Sequence, residues 1–519
     1  MTNRTYDQIL EDVTFTKDDV KRHLEQLKPN KAPGLDGIHP RLLRECASSL
    51  SGPLQKLFQK SMETGELPTE WKKALVKPIY KKVDKHMVGN YRSLCLTSIV
   101  SKVMESLVKR EVMDHLLSQG LLSDAQYGFI PGKSCETQLL ACTNSWTQEL
   151  EKGHPIDVVY TDFRKAFDTV PHQRLLVKLK AYGLGEKLMK WLEAFLCGRK
   201  QCVSINGITS DWTEVTSGIP QGSVLGPLCF LLYVNDLPEV IKANEIIMFA
   251  DDAKIFGKVC TMQQRDSFQA DLDNVLAWTE LWQMPLNIEK CAVMHLGNKN
   301  PSHQFTLGNV MLKTTSAERD LGVHVDDELK FHLHVAKVLK KCKSLLAIIK
   351  RTFTCVNKRI MSKLYKALIR PMIEYGNSVW GPFYKCDQVM LEKMQRRVTK
   401  MVPELRQFSY PERLEQMNIP TLKYRRTRGD MIMLHKMVTG RLRIHSALEC
   451  TEERRHRTRG HSRRLRKVLV QKRVRRNHLL VRAVNTWNSL PETVVRADTT
   501  NSFKTQLDKF FKNQMFAID

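Results

Sequence analysis

The sequence predicts an α+β fold built on an antiparallel sheet, followed by a helical segment and a basic C-terminal part. Three observations carry this reading. Between residues 76 and about 300, short apolar runs alternate with helical segments. Within that stretch, residues 245–256 (EIIMFADDAKIF) form two β-prone runs around an Asp-Asp pair, a hairpin pattern. From about 325 to 400 the pattern is wholly helical, with Leu329, Val335, Leu339, Leu345, Leu346 and Ile349 on one apolar stripe.

Taken in order, residues 1–75 read as helices. Thr16 followed by Asp18 and Asp19 makes an acidic helix start, and Val20, Leu24 and Leu27 follow at helical spacing. Residues 30–37 (NKAPGLDG) break that helix, and residues 42–62 carry a second apolar-periodic run. Val158-Val159-Tyr160 is a short strand, and residues 266–282 are an amphipathic helix. Another helical run lies at residues 365–373. Residues 451–480 hold 12 Lys or Arg and 2 acidic residues. The expected divisions are 1–75, 76–310, 311–410 and 411–519.

A chain of 519 residues is too long for one compact core. Its net charge of +27 self-repels in the folded state, so a polyanionic partner, nucleic acid, is the first functional reading. The 13 cysteines are scattered without a C-x-x-C pair or zinc-finger spacing, which points to free thiols in a reducing compartment. The N-terminus lacks the pattern of a secretory signal, and the apolar run at 227–234 is too short to span a bilayer. The expectation is a protein of nucleus or cytoplasm with no membrane partner.

An Asp-Asp pair between β-prone runs is by itself most often a plain turn. The reading changes with a third carboxylate. Asp162 ends the strand at 158–160, where a side chain projects from a rigid edge. Together with Asp251 and Asp252 it could place three carboxylates on adjacent strands. Three such groups repel unless divalent cations neutralise them. Two Mg²⁺ ions, which take oxygen ligands, would clamp the attacking and leaving oxygens of a phosphoryl transfer.

The residues around these aspartates carry a resemblance. Thr161-Asp162-Phe163-Arg164-Lys165-Ala166-Phe167-Asp168 resembles the first catalytic motif of reverse transcriptases. Residues 217–227 (SGIPQGSVLGP) resemble the second, Phe249-Ala250-Asp251-Asp252 the third, and Leu286-Asn287-Ile288-Glu289-Lys290 the fourth. Leu321-Gly322-Val323 resembles the primer-grip hairpin, and residues 30–38, 91–102 and 126–134 resemble finger segments. All stand in family order, and the wording is nearest to jockey-like non-LTR (LINE-type) elements. The resemblance is close over about 15–400 and looser through residues 487–491 (WNSLP).

The resemblance implies a right-hand polymerase: fingers and an antiparallel palm, then a primer grip and helical thumb, then the basic region. It implies an RNA-directed DNA polymerase acting on an RNA template (element RNA), a DNA primer and dNTPs, with two Mg²⁺ ions or Mn²⁺ in their place. Asp162 and Asp251 would hold the metals with the Phe163 carbonyl, and Asp252 would assist. Phe167 would be the gate that excludes a 2′-hydroxyl, although an apolar helix face is its ordinary explanation. Gln221 would position the nucleotide. Lys290 would donate a proton to the leaving pyrophosphate. Arg92 and Lys133 would contact the triphosphate, with solvated surface charge as the plainer alternative.

The sequence departs from the pattern at Ile130, where Arg is common, and at Ser93, where Pro is common. The stretch before the motifs is too short for the endonuclease that usually precedes them, so a truncated or separately translated polymerase segment is expected. Two rivals stand beside this reading: a catalytically weak or domesticated RNA-binding relic, and a group II intron-type enzyme. The wording after Gln221 disfavours the second. The basic segment 454–476, with a short helix around Leu465, Val468, Leu469 and Val470, reads as a nucleic-acid grip. Its removal after Gly440 is expected to spare the chemistry.

Overall fold

The computed structural model describes residues 5–81, 84–442 and 461–517. Thr16 caps α1 (Lys17–Glu25) by accepting the Asp19 N–H, and Asp18 and Asp19 complement the positive helix end. After the Pro-Gly break come α2 (Pro40–Glu45) and α3 (Ala47–Thr64). Then β1 (Lys73–Tyr80) pairs antiparallel with β2 (Tyr91–Leu96). Helices α4 (Ile99–Ser118) and α5 (Cys135–Lys152) lead to β3 (Ile156–Thr161), followed by α6 (Ala166–Thr169), α7 (His172–Ala181) and α8 (Glu186–Leu196). Strand β4 (Arg199–Ile205) returns to β1 in parallel and carries β5 (Ile208–Thr209) and β6 (Thr213–Val215) antiparallel. This small sheet is therefore mixed where an antiparallel one was expected. The whole of α4–α8 lies between β1 and β4, ample chain for a parallel crossover.

The apolar α9 (Gly226–Val234) precedes the hairpin of β7 (Glu245–Phe249) and β8 (Asp252–Lys258). Next come α10 (Met262–Leu281), β9 (Ala292–Leu296), a ribbon of β10 (Thr306–Leu307) and β11 (Val310–Met311), and β12 (Lys313–Thr314). The central sheet runs β12-β9-β3-β8-β7, antiparallel except for the β12–β9 edge. Both of its faces are covered. Val159, Ile255 and Val293 point into one core with α4 and α7–α10, and their neighbours Val158, Phe256 and Met294 point into a second. A strand buried on both faces reads as a continuous apolar run, which is how residues 158–160 look in the sequence.

Among the described residues, the buried apolar side chains beyond residue 320 all belong to the second core. A hairpin of β13 (Ala317–Asp320) and β14 (Val323–Asp326) turns at Leu321 (φ 42°) and Gly322 (φ 92°), the two positive φ values of a tight primed turn. Helix α11 spans His332–Thr352. The helical pattern thus begins later than expected, and Leu329 (φ 52°) packs from the preceding turn rather than from the helix. Helix α12 (Lys358–Leu364) widens into a π-helical stretch at Tyr365–Ile369 before α13 (Arg370–Glu374), next to Pro371, which has no N–H to continue a regular ladder. Then follow α14 (Asn377–Trp380), α15 (Lys385–Lys400), α16 (Tyr410–Met417) and α17 (Leu422–Val438).

Residues 454–460 of the basic segment lie outside the described residues. The remainder is not a free tail. Residues 465–470 are not helical, with Leu465 buried and Leu469 exposed, contrary to the expected short helix. The backbone N–H groups of Gln471 and Lys472 donate to Glu151, and Arg475 reaches Asn144 and Thr147 of α5. The short α18 (Arg473–Arg476), α19 (Leu479–Arg482), α20 (Val484–Asn488) and α21 (Glu492–Val495) lead to α22 (Thr500–Phe510). Trp487, Phe503 and Leu507, each fully buried, fill the same core as α11–α17.

Candidate active site

Antiparallel register sets Thr161 opposite Ala253 and Phe249 opposite Asp252. Asp162, one residue beyond Thr161, therefore meets the β7–β8 turn, and the aspartates sense one another. Burial and then the Asp162 charge hold the Asp251 carboxyl above its ordinary range, with Arg92 opposing. Burial, Asp251 and Asp320 push Asp252 up to about 6, although its side chain is open to water on one side. An all-oxygen donor set whose members suppress one another's ionisation suits a hard divalent cation.

Lys290 is delivered to the same place. The Asn287 N–H donates to the Asp162 carbonyl and Arg164 N–H to that of Pro285, so the turn at Ile288–Lys290 is fastened beside β3. The Lys290 ammonium lies 2.9 Å from Asp162 Oδ2. Phe163 is buried, and its backbone bridges Leu286.

A cleft of about 700 Å³ opens beside Asp251, lined by Lys81, Arg92, Lys165, Phe167 and Gln221. Phe167 stacks on Phe230 with centroids 4.4 Å apart and planes 18° from parallel. The loop carrying Gln221 is stitched to the segment after Phe167: Ile219 N–H donates to the Phe167 carbonyl, Gly218 N–H to that of Val170, and Gln221 Nε2 to Asp168 Oδ1 (2.6 Å). A Cβ on Gly218 would lie 2.7 Å from the Asp168 carbonyl oxygen, so that approach requires glycine. From below, buried Glu105 accepts the N–H groups of Val224 and Leu225.

The structure thus gathers Asp162, Asp251, Asp252 and Lys290 at one end, and Arg92, Phe167 and Gln221 around the adjoining cleft. It does not bring Lys133 there. That side chain is 8% exposed, donates to the Asp124 carbonyl at 2.8 Å and lies over the Tyr127 ring. Lys133, expected to contact the triphosphate, is not among the residues that line the cleft, and its ammonium is engaged by Asp124 and the Tyr127 ring. Lys81 and Lys165 line the cleft instead. Lys165 stands inside the first motif, and its left-handed backbone (φ 49°) was the part no pattern announced. Ile130, where Arg was expected, is buried in the first core.

Sequence reading also missed a joint behind the aspartates. Lys254, two residues past Asp252 on the same face of β8, bonds Asp320 of β13 at 2.6 Å and Gln138 of α5 at 3.1 Å. Burial alone would lower the Lys254 pKa, but the Asp320 carboxylate raises it above the ordinary lysine value. No local pattern marks such a pair, because its members are 66 residues apart.

Comparison with known proteins shows the family. The family described as reverse transcriptase (RNA-dependent DNA polymerase) matches residues 80–343, half of the chain, and the chain belongs to it. Among curated proteins it is similar to the RNA-directed DNA polymerase from mobile element jockey of Drosophila funebris, 26% identical over 404 residues, covering 74% of this chain and 44% of that protein. It is also similar to the probable RNA-directed DNA polymerase from transposon X-element of Drosophila melanogaster, 26% identical over 72% of this chain and 42% of that protein. The Pol polyprotein of type-1 retrotransposable element R1 of Bradysia coprophila is 26% identical over 73% of this chain and 39% of its own length. The chain spans less than half the length of these relatives. The jockey-like resemblance read from the motifs is borne out. Among the described residues, no helix is long and apolar enough to cross a membrane.

Proposed function

We propose that this chain is an RNA-directed DNA polymerase that extends a primer 3′-hydroxyl with dNTPs, releasing pyrophosphate, on the RNA of a non-LTR element. The observation that carries the reading is the convergence of Asp162 with Asp251 and Asp252 at the end of a cleft lined by cations, Phe167 and Gln221. In this reading the central sheet is the palm, β1, β2 and β4–β6 belong to the fingers, and the helices from α11 form the thumb. The boundaries at 310 and 410 are part of the proposal.

Asp162 and Asp251, with the Phe163 carbonyl and help from Asp252, would hold two Mg²⁺ ions, or Mn²⁺. When bound, these cations supply charge neutralisation for an in-line phosphoryl transfer. The protein's own side chains do the rest. Arg92, Lys81 and Lys165 attract and orient the triphosphate. Phe167, braced by Phe230, would be the ring that leaves no room for a 2′-hydroxyl. Gln221, held by Asp168, shapes the nucleotide seat. Lys290 carries a proton within reach of the leaving group.

The test is extension of an annealed primer on homopolymer RNA by the purified chain, with and without Mg²⁺. Metal-dependent extension that Asp251→Asn abolishes supports the proposal. Absence of extension under all conditions overturns it.

A further inference from the structure

The turn that presents Asp251 has no local reason to hold its shape. Phe249 pairs with Asp252, so Ala250 and Asp251 form a two-residue loop. Such loops favour Gly, Asn or Asp where φ is positive. Here the positive φ (55°) falls on Ala250, a residue that rarely adopts it. A conformation of this kind persists only where the surroundings over-determine it.

The surroundings do so from one segment. The Met248 N–H donates to the Ala125 carbonyl and the Tyr127 N–H to that of Met248, each at 2.8 Å, so residues 125–127 run parallel to the end of β7. Gln126, fully buried between these bonds, turns its side chain to the loop. Its Oε1 accepts the Ala250 N–H at 2.9 Å and the Gly128 N–H at 2.7 Å. Both partners are donors, so the oxygen must face them, whereas Nε2 has no hydrogen-bond partner among the described residues. Gly128 completes the fit: a Cβ there would lie 2.5 Å from Ala250 N.

We infer that Gln126 is a positioning residue for Asp251: its side-chain oxygen, with Gly128 closing against the same turn, fixes the Ala250 N–H and so the aim of the Asp251 carboxylate toward Asp162. This rests on the polymerase reading above. It assigns work to the buried oxygen alone and none to the amide nitrogen. Groups that orient a metal-holding side chain typically matter by about 10- to 100-fold in metal affinity or activity when removed.

The experiment uses the full chain and Mn²⁺ as probe, with binding followed by calorimetry or Mn²⁺ electron paramagnetic resonance, beside primer extension and thermal melting. Gln126→Leu removes the acceptor and should weaken Mn²⁺ binding by about 10- to 100-fold, with a matching fall in kcat. Gln126→Glu keeps an acceptor oxygen and should stay within about threefold of the parent, because a protonated carboxyl has nearly the same shape. Gly128→Ala, which pushes directly on Ala250 N, should weaken Mn²⁺ in the same direction while Gln126 is intact. Parental Mn²⁺ affinity in a folded Gln126→Leu or Gly128→Ala protein overturns the inference. So does a Gln126→Glu protein as impaired as Gln126→Leu. If Gln126→Leu does not fold, the Gly128→Ala and Gln126→Glu arms decide alone. Asp251→Asn separates the two levels: if it binds Mn²⁺ like the parent, the polymerase site itself is misread, whereas loss there with parental binding in Gln126→Leu refutes only the positioning role.

Discussion

Asp320→Asn should destabilise the protein out of proportion to the one atom that changes. The Asp320 carboxylate and the Lys254 ammonium are 2.6 Å apart, with side chains 4% and 2% exposed. Removing one charge of a buried pair leaves the other uncompensated and typically costs about 3–5 kcal/mol. Gln138 still accepts from Lys254 at 3.1 Å, which places the loss near the lower end, about 3 kcal/mol. Replacing both charges by apolar groups, Lys254→Met with Asp320→Leu, removes the desolvation cost together with the attraction and should recover much of that loss. Urea unfolding of the parent, Lys254→Met, Asp320→Leu and the double variant gives the coupling from the cycle. The consequence reaches the site. Asp320 ends β13 directly before the Leu321–Gly322 turn, and Lys254 shares a strand face with Asp252, so loss of the pair frees that hairpin from the aspartates. Primer extension by Asp320→Asn should fall at temperatures where the fold persists. An Asp320→Asn protein within about 1 kcal/mol of the parent, or a double variant worse than both single ones, would refute the reasoning.

Four further outcomes follow. Asp251→Asn should keep the melting temperature and lower extension by on the order of 10²- to 10³-fold, read in single-turnover assays; near-parental rates would sink the metal assignment. Because the Asp252 carboxyl is raised to about 6, it is neutral below that pH and ionised above it. The Mg²⁺ concentration for half-maximal extension should therefore climb as pH falls from 7 to 5.5, and without metal the ionised form should make the fold less stable above pH 6 than below it, tempered by water in the cleft. Phe167→Ala should raise ribonucleotide incorporation relative to dNTPs without abolishing the latter, and an unchanged ratio would leave Phe167 a packing residue on Phe230. Truncation after Gly440 should abolish folding rather than spare the chemistry, since it strips Trp487, Phe503 and Leu507 from the second core. Buried Trp and Phe are worth about 3–5 kcal/mol each against a net stability of about 5–15 kcal/mol, so a soluble, active truncated protein would contradict this packing.

The sequence by itself determined the local devices and the candidate site residues. The cap at Thr16, the β-prone run at 158–160 and the turn at Leu321-Gly322 are each written in a few neighbouring residues, and the hairpin around Asp251-Asp252 is announced locally although its turn is held from afar. The ordered motifs pointed to the aspartates, Phe167, Gln221 and Lys290, because chemistry demands particular side chains in particular local settings. What joins those settings was not legible. Lys133 and Arg92 looked alike as basic residues, and only packing turned one onto Asp124 and left the other in the cleft. The 465–470 run carried apolar residues enough for a helix, yet its Leu465 goes into the core and Glu151 takes the next two N–H groups, contacts made across some 320 residues of chain. The parallel β1–β4 pairing, the Lys254–Asp320 joint and the hold of Gln126 on Ala250 arise in the same way. Each satisfies a buried polar group or a strained turn with a partner far away in sequence. The need is local and can be read from composition, but the partner is set by which faces the folded sheet brings together.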